Sequence, residues 1–123
     1  MIFKVLIVDD DYINRRLLIS LLKKTLYKIE IMESIDGEDA LEKSRENSDI
    51  QLILLDVEMP NMDGSKFLRN YIEDTTLPNI PIIAVSSNDL REKEILTLGA
   101  NAFILKPVTE NKLLTAIRKA QNR

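Results

Sequence analysis

The sequence contains neither cysteine nor histidine in its 123 residues. Without cysteine the chain can form no disulfide and no thiolate metal site, which fits a reducing compartment. Without histidine it can build neither a Ser-His-Asp triad nor an imidazole metal site, and it can carry no phosphohistidine of its own. Oxygen atoms are therefore the side-chain ligands that this chain can offer to a metal ion.

Long apolar runs and a strong charge of one sign are also missing. No stretch approaches the roughly 20 apolar residues of a membrane span, and residues 1–4 lead into a predicted strand without a signal-peptide pattern. The formal net charge of −3 gives no electrostatic argument for nucleic-acid binding. From a composition of 45% hydrophobic and 30% charged residues we expect one globular domain over residues 1–123. From the missing span, signal peptide and strong charge we expect a cytoplasmic protein with neither membrane nor nucleic acid as a direct partner.

Strand and helix patterns alternate along the whole chain, and no repeat or linker interrupts them. The predicted strands cover residues 3–9, 29–32, 52–56, 81–86 and 102–106. The predicted helices cover residues 12–27, 37–46, 65–73, 88–99 and 109 onward. Five strands alternating with five helices predict an α/β fold: a flavodoxin-like, doubly wound (βα)5 sandwich whose parallel sheet has the order 2-1-3-4-5.

Apolar spacing also predicts which helix faces are buried. The stripe of the first helix consists of Ile13, Leu17, Leu18, Leu21, Leu22 and Leu26. The stripe of the third helix consists of Phe67, Leu68, Tyr71 and Ile72. Residues three and four apart share one helix face, so we expect both stripes to pack against the sheet.

Four short apolar runs each end at polar residues that can take part in phosphoryl chemistry. The residues at these ends are Asp9 and Asp10, Asp56, Ser86 and Ser87, and Lys106. Ligand sites of open parallel sheets lie beyond the carboxyl ends of the strands, so these side chains are expected to converge on one crevice beside strands 1 and 3. Each residue taken alone is typical of a turn, a cap or a solvated charge. Their joint placement favours a functional site.

The three carboxylates of this set would repel one another unless a cation neutralised them. Oxygen ligands alone favour a hard cation and predict Mg²⁺. A carboxylate beside such a metal can attack phosphorus and form an acyl phosphate. Lys106 would neutralise the charge on the transferring group, and Ser86 would donate a hydrogen bond to its oxygens.

Six short segments carry a resemblance to a known family. They are Val8-Asp9-Asp10, Leu55-Asp56-Val57-Glu58-Met59-Pro60, Met62-Asp63-Gly64, Val85-Ser86-Ser87, Gly99-Ala100 and Lys106-Pro107. In this order they make essentially the whole chain resemble the receiver (response-regulator) domain of bacterial two-component signalling. The run from Asp9 to Arg15 also resembles receivers of hybrid kinases and of stand-alone proteins in a phosphorelay.

The resemblance implies a phosphoacceptor and a set of metal ligands. Asp56 is the implied phosphoacceptor. Asp10 and Asp56 are implied to bind Mg²⁺ directly. Asp9 is implied to bind it through water, and Glu58 through its main-chain carbonyl.

Further residues are implied to act on the phosphoryl group or to respond to it. Ser86 and Lys106 are implied to contact it. Ser86 and Phe103 are implied to be the switch residues, and Phe103 lacks the hydroxyl of the tyrosine that is common there. The peptide bond before Pro107 is implied to be cis.

The partners also follow from the resemblance. The donor would be a phosphohistidine on another chain, either a sensor histidine kinase or a histidine phosphotransfer protein. Phosphorylation would shift the face of helix 4, strand 5 and helix 5, which could engage an unknown effector or form a homodimer. The segment from Ser86 to Gly99 is a residue or two shorter than is common in the family, which affects this face.

Two other functions stay open at this point. The first is a phosphatase that turns over through an aspartyl phosphate. Such enzymes usually have a cap insertion and an Asp two residues after the nucleophile, where this chain has Glu58. The second is a degenerate receiver that only binds partners, against which the complete set of acids, Ser86 and Lys106 argues. We expect a chain that catalyses only its own phosphorylation and dephosphorylation and is not otherwise an enzyme.

Overall fold

Strands and helices alternate along the chain in the computed structural model, which describes residues 2–26 and 28–121. The strands are β1 (Phe3–Val8), β2 (Ile29–Ser34), β3 (Leu52–Asp56), β4 (Ile82–Ser86) and β5 (Ala102–Leu105). The helices are α1 (Tyr12–Thr25), α2 (Gly37–Glu46), α3 (Gly64–Glu73), α4 (Glu92–Thr97) and α5 (Glu110–Gln121). Among the residues described, no helix has both the length and the apolar character needed to cross a bilayer.

Most predicted boundaries agree with these elements to within two residues, and helix 4 is the exception. A 3-10 turn, Asp89–Arg91, comes first, and the α-helix begins only at Glu92. Asn88 caps the 3-10 turn, since its side-chain oxygen accepts a hydrogen bond from the Leu90 amide at 3.0 Å. The cap signal in the sequence therefore marks the turn and not the α-helix. The predicted end of helix 1 at residue 27 lies outside the described residues.

The sheet has the predicted order β2-β1-β3-β4-β5, and all of its pairs are parallel. In the register, Val8 pairs with Leu55 and Asp56 pairs with Val85. Ser86, the last residue of β4, pairs with Leu105, the last residue of the outer strand β5. The carboxyl ends of β1, β3, β4 and β5 therefore lie along one edge, which is the edge where the sequence places the polar residues.

The helices cover both faces of the sheet, and each face has its own core. Val5 and Ile7 of β1 point to the side of α1 and α5, where Leu22 and Leu113 are fully buried. Leu6 of β1 points to the other side, among residues of α2, α3 and α4 that include Phe67, Leu68 and Ile95. The period of two along a strand produces this division.

Parts of the predicted helix stripes are wrong, because spacing defines a wider face than the sheet covers. Ile13 and Leu17 are 71% and 52% exposed, whereas Leu18 and Leu22 of the same helix are buried. Ile13 is the second residue of α1, whereas the buried residues of this helix, Leu18, Ile19 and Leu22, lie further along it. Ile72 of α3 is 58% exposed and lies beside Gly99, away from the sheet.

Candidate functional site

Three carboxylates meet at the carboxyl ends of β1 and β3. Asp9, Asp10 and Asp56 each bring one carboxylate oxygen to within 4.8 Å of the others. Asp9 and Asp56 are buried, and Asp10 is exposed. The pairing of β1 with β3 causes this meeting, because Asp9 follows Val8, the partner of Leu55, and Asp56 follows Leu55. The predicted convergence of the three residues is thus present in the fold.

The electrostatics of the cluster favour a bound cation. Burial, and then the nearby charge of Asp9, raise the pKa of Asp56 to about 6, although Lys106 opposes the shift. Burial also raises the pKa of Asp9, against the hydrogen bond that Asp9 accepts from the Asp11 amide. Within the cluster the negative charge therefore exceeds what Lys106 compensates. Carboxylate oxygens in this number fit a hard divalent cation such as Mg²⁺.

Lys106 comes directly after β5 and points into the cluster. Its Nζ lies 3.4 Å from Oδ1 of Asp56. Its amide donates to the Ser86 carbonyl at 2.8 Å, which ties the end of β5 to the end of β4. The peptide bond between Lys106 and Pro107 is cis, as the resemblance implies. This geometry places the positive charge of Lys106 beside Asp56, and the same charge also acts on Asp9.

The segment between β3 and α3 folds back onto the end of β3. The Gly64 amide donates to the Val57 carbonyl at 2.7 Å. A Cβ at Gly64 would lie 2.8 Å from Cα of Val57, so only glycine permits this close approach. Asp63 caps α3 by accepting hydrogen bonds from the amides of Ser65 and Lys66. The loop predicted around Met59 and Gly64 is thereby held close to Asp56.

Among the residues that the structure describes, the hydrogen bonds of the Ser86 hydroxyl go to Glu58 and Asn88 and not to Asp56. The hydroxyl lies 2.7 Å from Oε2 of Glu58 and 3.2 Å from the Asn88 carbonyl, and it accepts from the Asn88 amide at 3.0 Å. The other carboxylate oxygen of Glu58 accepts from the amide of Ser87 at 2.9 Å. The predicted contact of Ser86 with a phosphoryl group would require this hydroxyl to turn away from Glu58.

Glu58 is also linked to the segment before α4. Nη1 of Arg91 lies 3.8 Å from Oε2 of Glu58, and Nη2 of Arg91 lies 3.1 Å from Oδ2 of Asp63. The resemblance implies a metal-binding role for the main-chain carbonyl of Glu58, and the phosphatase alternative places its side chain at the general-acid position, but neither predicts a contact with Arg91. The sequence shows only an acidic residue two positions after Asp56, and this signal does not identify Arg91 as a partner.

Phe103, the second predicted switch residue, is half-buried on β5. It packs against the core cluster that contains Ala84 and Ile95. It also borders an open groove of about 550 Å³ between β5, α5 and the start of α4, which Glu92 and Lys112 help to line. Phe103 therefore lies between the core and the face that was predicted to change, and its switching stays a prediction.

Comparison with known proteins agrees with this geometry. Residues 5–118 match the family model of the response regulator receiver domain. The chain is 34% identical to hybrid signal transduction histidine kinase L of Dictyostelium discoideum, over 94% of this chain and 7% of that protein. It is 31% identical to the chemotaxis protein CheY1 of Helicobacter pylori, over 89% of this chain and 90% of that protein. It spans about a quarter or less of the length of several other curated relatives.

Solved structures show the same arrangement of strands and helices. The bacteriophytochrome response regulator AtBRR superposes with a TM-score of 0.85 at 27% sequence identity. The match covers 98% of this chain and 94% of that one. The similarity therefore extends over the whole sheet and over every strand end that carries a predicted site residue.

Proposed function

This chain belongs to the response regulator receiver domain family, and on that premise we propose that it accepts a phosphoryl group on Asp56 from the phosphohistidine of a partner protein. The observation that carries the proposal is the placement of Asp56. Its buried carboxylate lies at the end of β3, shares a cluster with Asp9 and Asp10, and has Lys106 at 3.4 Å. A nucleophile, a cation-binding set and a fixed positive charge thus lie within one site.

In the proposed reaction, a carboxylate oxygen of Asp56 attacks the phosphorus atom. The bond from phosphorus to the histidine nitrogen breaks, the imidazole leaves with that electron pair, and an acyl phosphate remains on Asp56. Above its pKa of about 6, Asp56 is mostly in the ionised form that can attack. Lys106 lies where it can neutralise charge on the transferred oxygens.

A divalent cation is the proposed cofactor, and Mg²⁺ fits the donor set. Asp10 and Asp56 would hold it directly, Asp9 through water, and Glu58 through its main-chain carbonyl. When bound, Mg²⁺ would offset the repulsion among the carboxylates and the charge on the phosphoryl oxygens. The raised pKa values of Asp9 and Asp56 support a site built for such a cation.

The proposed response begins at Ser86. Its hydroxyl would leave Glu58 and donate to the new phosphoryl oxygens, which carry more charge than a single carboxylate. The face formed by α4, β5 and α5 would then change its population of conformers, with Phe103 as the second switch residue. This face would engage an effector, or a second copy of the chain as a homodimer.

The proposed donor is a sensor histidine kinase or a histidine phosphotransfer protein. The absence of histidine from the chain supports a donor on another protein. A hybrid histidine kinase is among the relatives, so a phosphorelay fits as well. With such partners, the reaction is proposed to take place in the cytoplasm.

Turnover separates this proposal from a phosphatase. We propose that the chain catalyses only its own phosphorylation and slow dephosphorylation, because the carboxylate of Glu58 is bonded to Ser86 and Ser87. A phosphatase would need a free general acid at that position and would release many phosphates per molecule. A degenerate receiver that only binds partners would accept none.

The proposal is tested by intact mass after incubation with acetyl phosphate and Mg²⁺. We expect the parent chain to gain one phosphoryl group, and Asp56→Asn to gain none. The gain should disappear when Mg²⁺ is chelated. A parent that stays unlabelled while a known receiver is labelled in the same buffer would refute the proposal.

A further inference from the structure

The guanidinium of Arg15 joins three elements beside the acidic cluster. Nη1 donates to the main-chain carbonyl of Asp9 at 2.9 Å, and Nε donates to Oε1 of Glu33 at 2.9 Å. The Arg15 side chain is only 11% exposed. Arg15 lies on α1, Glu33 on β2, and Asp9 directly after β1, so one largely buried side chain links all three.

The carbonyl that Arg15 holds belongs to the peptide that connects Asp9 to Asp10. A peptide is planar, so fixing its oxygen fixes the direction in which Asp10 leaves the strand. The amide of Asp9 is held as well, because it donates to the Ser34 carbonyl at 3.0 Å. Throughout residues 2–26 and 28–121, no hydrogen-bond donor holds the carboxylate of Asp10 itself. The position of Asp10 therefore depends on this peptide plane.

We propose that Arg15 is a positioning residue of the cation site: it fixes the peptide between Asp9 and Asp10 so that the carboxylate of Asp10 is aimed at the metal. The inference rests on the proposed function, which treats the acidic cluster as a site for a divalent cation. It adds a residue, outside the carboxylates themselves, that sets the affinity of that site. Residues that orient metal ligands commonly contribute tenfold or more to metal affinity.

Charge and position make opposite predictions for the loss of Arg15. By charge alone, removing a positive side chain beside a cation site would strengthen Mg²⁺ binding. By position, the same removal frees the peptide plane and weakens Mg²⁺ binding. The sign of the change therefore separates a positioning role from an electrostatic one.

Arg16 provides a matched control in the same place. Its Nη2 pairs with Oε2 of Glu33 at 2.6 Å, and its guanidinium lies 5.2 Å from the ring centre of Tyr12. Arg15 has the same two neighbours, since it also pairs with Glu33 and its guanidinium lies 5.6 Å from the ring centre of Tyr12. Only Arg15 of the pair donates to Asp9. Substituting Arg16 thus removes the same charge and the same partners, and it leaves the peptide of Asp9 held.

The experiment measures thermal unfolding of the unphosphorylated protein over a series of Mg²⁺ concentrations at constant ionic strength. Stabilisation by a ligand follows from the ratio of its concentration to its dissociation constant, so the series yields an apparent Mg²⁺ affinity without any phosphorylation. The variants are Arg15→Gln, Arg15→Lys and Arg16→Gln. Arg15→Lys keeps the charge but cannot bridge Asp9 and Glu33 as the planar fork does, and it serves if Arg15→Gln does not fold.

We expect Arg15→Gln and Arg15→Lys to need about tenfold more Mg²⁺ for the same stabilisation, and Arg16→Gln to match the parent. A structural role alone would lower stability equally at every Mg²⁺ concentration, and that result would overturn the inference. So would an unchanged or stronger affinity in the Arg15 variants, or an equal loss in Arg16→Gln. A parent that Mg²⁺ does not stabilise would overturn the proposed cation site and this inference with it. A stabilised parent with unchanged variants would overturn the inference alone.

Discussion

Asp56→Asn is expected to raise the free energy of unfolding at pH 7 in the absence of Mg²⁺. Burial and the charge of Asp9 raise the pKa of Asp56 from 3.8 to about 6. Each pKa unit corresponds to about 1.4 kcal/mol, so the ionised carboxylate costs the folded state about 3 kcal/mol at neutral pH. Asparagine has nearly the same shape as aspartate and does not ionise, so the variant avoids this cost.

The pH dependence of the difference has a definite sign. Because the folded pKa of Asp56 is raised, its contribution to stability is fully present below pH 3.8 and is lost as the pH rises through about 6. The parent should therefore lose stability relative to Asp56→Asn between about pH 4 and 6, with a constant difference above that range. Urea unfolding at pH 4 and at pH 7 measures both values.

Asp74→Asn is the control of opposite sign. Hydrogen bonds from Thr76, and then from Arg45, lower the pKa of Asp74 to about 2. The contribution of Asp74 is therefore present above pH 3.8 and is lost as the pH falls toward about 2. Its removal should destabilise the protein at pH 7. Equal stability of the parent and Asp56→Asn at pH 7, or a difference that does not shrink at pH 4, would refute the reasoning.

Three further substitutions test separate parts of the structure. Glu58→Ala should speed labelling by acetyl phosphate roughly tenfold in a mass time course, because it frees the Ser86 hydroxyl; slower labelling would contradict this. Lys106→Met should slow the same labelling about 100-fold, and Mg²⁺ should still stabilise the variant against thermal unfolding. Phe67→Ala should cost about 3–5 kcal/mol in urea unfolding because Phe67 is fully buried, whereas the exposed Ile72→Ala should cost about 1 kcal/mol or less.

The fold was largely predictable because apolar runs and helical spacing are local signals. β3 and β4 are buried at every position, and their runs appear directly in the sequence. The α/β class then predicted the sheet order, and this order predicted that Asp9, Asp10 and Asp56 lie together. The structure confirms both. Exposure was less predictable: the spacing that places Leu18 inward also includes Leu17, which is half exposed.

The contacts of long polar side chains were not predictable in the same way. Arg15 and Arg91 occupy positions that are typical of exposed helix ends, and their partners come from other elements. The partner of Arg91 at Asp63 lies 28 residues away in the chain. Such contacts depend on the packed positions of two segments and on side-chain rotamers, neither of which a local pattern contains.

The bonds of Glu58 indicate how a change at Asp56 could reach α4. The Ser86 hydroxyl has one hydrogen to donate, and a phosphoryl group on Asp56 would compete for it with Glu58. The oxygen of Glu58 that is bonded to Ser86, Oε2, also lies 3.8 Å from Nη1 of Arg91, the residue directly before α4. Arg91 also pairs with Asp63 and Glu94. Because α4 begins at the next residue, Glu92, a shift of Arg91 would act directly on the start of this helix.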